Sequence, residues 1–119
     1  MQVNFFTKGA SCLVTKISGE LDHHAAQKIR NETDTRIIRG KVKNLIFDFS
    51  DLNFMDSSGI GVIIGRYKLL KSCGGRVDIV ASNPGINKLL AMSGIPGIVN
   101  VYPTLFDVPD LNKYERIEE

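Results

Sequence analysis

The stretch Leu45-Ile46-Phe47-Asp48-Phe49-Ser50-Asp51-Leu52-Asn53-Phe54-Met55-Asp56-Ser57-Ser58-Gly59-Ile60-Gly61-Val62-Ile63-Ile64 decides how the chain reads. Its first five residues form a nearly continuous apolar run, the pattern of a strand covered on both faces. A short loop follows, and the spacing predicts a helix that begins at Ser57 or Ser58 and stops at Gly74-Gly75. On that helix Ile60, Ile63, Ile64, Tyr67 and Leu70 recur at i, i+3, i+4 and i+7, a stripe that must face a core. The loop therefore delivers two adjacent serines to the mouth of a helix, with a carboxylate before them and glycines after. A hydroxyl there is exposed, uncrowded and close to the positive end of the helix dipole.

Outward from this stretch, strands and helices alternate. Residues 2–6 and 12–18 read as strands of an N-terminal hairpin, turned at Lys8-Gly9-Ala10, with Gly19 breaking the second strand. Asp22 is placed to cap a helix over about 23–38, whose Ala26, Ile29, Thr33 and Ile37 recur at helical spacing before Gly40 stops it. After the serine helix come a strand over 77–81, a helix opened by Ser82-Asn83-Pro84 and ended by Gly94, and a strand over about 98–102. Beyond Pro103 a partly helical tail is expected, anchored by Leu105, Phe106 and Leu111, interrupted by Pro109 and frayed over 115–119. The fold class is α/β: a single domain with a mixed sheet, an N-terminal hairpin and flanking helices, its parallel crossovers right-handed.

Composition removes several functions. A chain of 119 residues is one domain, and its net charge of +2, spread over scattered Lys and Arg, does not suit nucleic acid. No apolar run approaches the roughly 20 residues needed for membrane insertion, and the start Met1-Gln2-Val3-Asn4 is not an export signal, so the expected compartment is the cytoplasm. Cys12 and Cys73 lack metal-ligand spacing and read as reduced thiols, and no metal site is expected of the adjacent His23 and His24, which point in different directions from a helix.

Ser57 reads better as a phosphorylation site than as a nucleophile. Met55 stands where a Gly-x-Ser-x-Gly elbow needs glycine, and a triad would require His23 or His24 within reach, which leaves a small serine hydrolase as a remote alternative. Gly59, Gly61 and Gly65 do not make a dinucleotide fingerprint, and no Gly-Lys-Ser/Thr is present, so no cofactor is expected and ATP belongs to a partner kinase. Ser57, Gly61 and Gly65 lie along one face of the helix, followed by Lys68. Either another part of the domain packs closely there, or the face is a flat surface on which a partner docks. Asp22 and Asp56 each read as an N-cap, or as carboxylates that help a partner or kinase recognise the site. Arg66 reads as a solvated helix residue or as part of the docking rim.

The segments Gly-Glu-Leu-Asp-His-His (19–24) and Phe-Met-Asp-Ser-Ser-Gly-Ile-Gly-Val-Ile-Ile-Gly-Arg-Tyr-Lys (54–68) resemble the STAS-domain anti-anti-sigma factors. The similarity runs from about residue 2 to 102 and includes the Ala91-Met92-Ser93-Gly94-Ile95 turn. The Asp-His-His and Gly-Arg-Tyr-Lys details favour the sporulation branch, with the general-stress branch as the alternative. The resemblance implies that the unphosphorylated protein binds an anti-sigma factor that is also a serine kinase, and so releases the sporulation sigma factor F. It implies that this kinase inactivates the protein by phosphorylating Ser57, that a serine phosphatase restores it, and that Asp22, Ser58, Gly61 and Gly94 occupy partner-contact positions. The free protein is expected to be a monomer and not an enzyme.

Overall fold

The structure, a computed structural model, describes residues 1–9, 11–109 and 115–118. The expected hairpin is present: β1 (Gln2–Lys8) pairs antiparallel with β2 (Cys12–Leu21), from Lys8 opposite Cys12 to Gln2 opposite Ser18. β2 does not break at Gly19. The chain takes φ +91 there, a conformation that side chains with a Cβ rarely adopt, and the strand continues to Leu21 with a shift of register.

That shift lets β2 change partners. Its first half pairs in parallel with β3 (Asn44–Asp48), and its end pairs in parallel with β4 (Leu52–Met55). The segment expected as a loop is therefore partly a strand. The parallel sheet continues through β5 (Arg76–Val80) to β6 (Asn100–Tyr102), giving the order β6-β5-β3-β2-β1. Among the described residues of the tail there is one 3-10 turn, Leu105–Asp107, at two of the expected anchors, and, where fraying is expected, a strand β7 (Glu115–Glu118) that pairs antiparallel with β1, completing a mixed sheet of seven strands. Leu111 lies outside the described residues.

Among the described residues three α-helices cross one face of the sheet: α1 (His23–Gly40), α2 (Ser57–Ser72) and α3 (Pro84–Met92). Leu13, Ile17, Leu45, Phe47, Val77 and Ile79 point toward them and pack with Ala26, Ile29, Ile60, Ile63, Leu70, Ile86 and Leu90. Burial of that many aliphatic side chains, at roughly 1.5–3 kcal/mol each, holds the helices in place. The alternate residues Val14, Ile46 and Val80 form a smaller apolar cluster on the other face, closed by Val108 from the tail.

Candidate functional site

Because β2 and β4 run parallel with Leu21 opposite Met55, the residues that follow them, Asp22 and Asp56, emerge side by side. The Asp56 N–H donates to the Leu21 carbonyl at 3.4 Å. Each aspartate then starts a helix: Asp22 Oδ1 accepts from the Ala25 N–H at 3.0 Å, and Asp56 Oδ1 accepts from the Ser58 N–H at 2.8 Å. Two helix N-termini and two caps thus share one corner, a juxtaposition with no counterpart in the linear pattern. The Ala25 N–H holds the Asp22 carboxyl below its ordinary range, against slight desolvation and with help from His24.

Ser57 is the first residue of α2 and is exposed, whereas Ser58 is half-buried. Among the described residues no hydrogen bond engages the Ser57 hydroxyl. His23 and His24 sit exposed on the first turn of α1, edge-to-face with each other at 5.9 Å. No cluster of three or more His, Cys, Asp or Glu suited to a metal occurs among the described residues.

The glycines of α2 divide into two kinds. A Cβ on Gly59 would fall 2.4 Å from Met55 Cγ and 3.2 Å from Leu21 Cδ2, so the domain itself needs a small residue under the corner. A Cβ on Gly61 or Gly65 would meet nothing within 4 Å. Close packing of another element does not explain those two, although a mid-helix glycine costs about 1 kcal/mol relative to alanine. The side of α2 that carries Ser57 and Gly61 is open, with Lys68 exposed farther along.

Arg66 requires a correction, because it is not a solvated helix residue. Nine residues beyond Ser57 is two and a half turns, so Arg66 projects from the opposite side of α2. There it is only 8% exposed, with Nε 3.0 Å from Asp34 Oδ1 on α1. The contact is a charge pair rather than an aligned hydrogen bond. Burial pulls the guanidinium below its ordinary value while Asp34 opposes the shift. The pair fastens α1 to α2.

Gly94 lies in the turn between α3 and the 3-10 segment Ile95–Gly97, with φ +75. That left-handed conformation is a sufficient reason for glycine. Sequence reading passed over Phe54, which β4 leaves 47% exposed near the start of α2.

Known proteins share this sequence pattern and fold. The family profile described as the STAS domain matches residues 6–108. A Paenibacillus polymyxa protein named anti-sigma F factor antagonist is 42% identical over 90 residues, which is 76% of this chain and 77% of that protein. The solved structure of the anti-sigma factor antagonist SpoIIAA in its unphosphorylated form is similar with a TM-score of 0.72 and 30% identity, covering 87% of this chain and 89% of that one. The structure of the Bacillus cell fate determinant SpoIIAA in the phosphorylated form gives 0.70 and 33%, covering 84% and 90%.

Proposed function

The chain belongs to the STAS-domain family of anti-sigma factor antagonists, and from that premise we propose that it is a sporulation phospho-switch. In its unphosphorylated form it binds an anti-sigma factor serine kinase and thereby frees sigma factor F. The kinase holds the ATP and transfers the γ-phosphoryl group to the Ser57 oxygen as the bond to the β,γ-bridging oxygen breaks and ADP leaves, and the serine proton passes to a base of the kinase. A serine phosphatase later hydrolyses the ester and returns the hydroxyl. This chain supplies the acceptor and the docking surface, not the catalytic groups.

One observation carries the reading: Ser57 stands exposed and unengaged on an open, glycine-bearing face where two capped helices begin. The existence of both phosphorylated and unphosphorylated forms of a related protein supports it.

The electrostatics explain how one phosphate can switch the surface and spare the fold. Phosphorylation adds about −1.5 to −2 charges and three acceptor oxygens. The start of α2 favours negative charge by roughly 0.3–1 kcal/mol, which offsets part of the repulsion from Asp56 and Asp22, whose oxygens already face backbone N–H groups. A partner carboxylate about 5 Å from the dianion is less fortunate, at a cost on the order of 1.5–3 kcal/mol in near-aqueous surroundings. Desolvated contacts lose more, so a hundredfold loss of affinity is within reach of one ester.

Incubation with ATP and the cognate anti-sigma kinase, followed by intact mass and peptide mapping, tests the assignment. A single phosphate on Ser57 is expected. A phosphate on Ser58, or none, contradicts it.

A further inference from the structure

We propose that residues 103–109 form a strap over the helix-free face of the sheet, which lifts locally while the rest of the domain stays folded. All three helices pack on the opposite face. On this face Val14, Ile46 and Val80 are buried with Phe6, Cys12 and Tyr102 around them, and Leu105 and Val108 are the apolar side chains of the described tail packed against them.

The strap is anchored at its ends and weakly held between them. At its root the Tyr102 carbonyl accepts from the Ala81 N–H at 2.9 Å, and farther along the chain β7 pairs with β1. Among the described residues, the hydrogen bonds of 103–109 close within the segment: Asp107 N–H to Thr104 O, Val108 N–H to Leu105 O, and Thr104 Oγ1 to Asp107 Oδ2 at 2.8 Å. Attachment to the sheet therefore rests on side-chain burial, chiefly Val108 at 2% exposure, while Phe106 points into solvent at 86%. A segment whose described residues include one deeply buried side chain and no ladder bonds opens before the core.

The chain contains its own reporter. Cys12 is half-buried in the wall of a cleft that Val108 and Pro109 help to line, and burial pushes its thiol above the ordinary value. Cys73, exposed at the end of α2, is an internal control.

The test is the maleimide labelling rate of each thiol in the full chain, followed by peptide mass spectrometry across low urea concentrations. Cys73 should label fast. Cys12 should label slowly, at a rate nearly independent of urea, because local opening exposes little surface. Val108→Ala should speed Cys12 labelling by about tenfold and leave Cys73 unchanged. The proposal is overturned if Cys12 labels as fast as Cys73, if its rate follows the urea dependence of global unfolding, or if Val108→Ala leaves it unchanged. Should Val108→Ala fail to fold, the urea dependence of the unaltered chain decides alone.

Discussion

Replacing Gly61 and Gly65 by alanine separates what the domain needs of its second helix from what a partner needs. Both positions are helical, and a methyl group at either meets nothing within 4 Å. Each change should therefore recover the full helix-propensity difference, about 1 kcal/mol. Unfolding entropy scales to about 0.25 kcal/mol/K for 119 residues, so each alanine should raise Tm by about 4 °C and the pair by about 8 °C. Gly59→Ala supplies the contrast: its methyl group collides with Met55, and overpacking of about 1–3 kcal/mol cancels or reverses the gain. Affinity for the anti-sigma factor should move the opposite way to stability. A methyl group on Gly61, beside Ser57, holds off a closely docked surface, and a loss of tenfold or more is expected. Calorimetric melts and titration calorimetry on the same samples read both quantities. If the double variant is more stable and binds with undiminished affinity, the open glycine face is not where the partner sits.

Three further outcomes follow from the geometry. Asp34→Ala should cost more than Arg66→Met, about 2–3 kcal/mol against less than about 1, because only the former leaves a buried guanidinium without its counter-charge; urea denaturation ranks them, and the reverse order contradicts the pairing. Gly94→Ala should lose about 1–2 kcal/mol, seen as a lower Tm, since alanine is strained at φ +75. Burial raises the Asp78 carboxyl above its ordinary value, against the pull of Arg76 at 3.2 Å, so the folded state keeps a proton that the unfolded state releases as pH rises. That penalty is absent below the unfolded pKa and complete above the folded one. Asp78→Asn should accordingly compare better with the unaltered chain at pH 7 than at pH 3 in thermal melts. The opposite trend would mean that the ion pair outweighs burial.

Much of this architecture is legible in the residues. The apolar run of β3, the isoleucine stripe of α2, the Pro84 start of α3 and both aspartate caps follow from local pattern, because each is decided by neighbours in sequence. What escaped depends on distant pairing. β4 shows no alternation, only two buried ends around Asn53 and Phe54, and it exists because the end of β2 offers it a ladder. Arg66 sits on a core-facing side that pattern reading reserves for apolar residues, and Asp34 on another helix is what makes that placement tolerable. The tail lacks the periodicity of either element, and Val108, the one deeply buried anchor among its described residues, has no distinguishing context in the sequence. The candidate site is mixed in the same way. Ser57 is identifiable from its motif, but the meeting of Asp22 with Asp56 depends on the register of β2 against β4.

The decisive measurement compares the chain carrying phosphoserine at position 57 with the unmodified chain, by backbone amide spectra and by titration against the anti-sigma factor. Shift changes should be confined to the first turns of α1 and α2, with affinity at least a hundredfold lower. Changes spreading through β3 and β5, or an affinity left intact, would contradict a switch that acts on the surface alone.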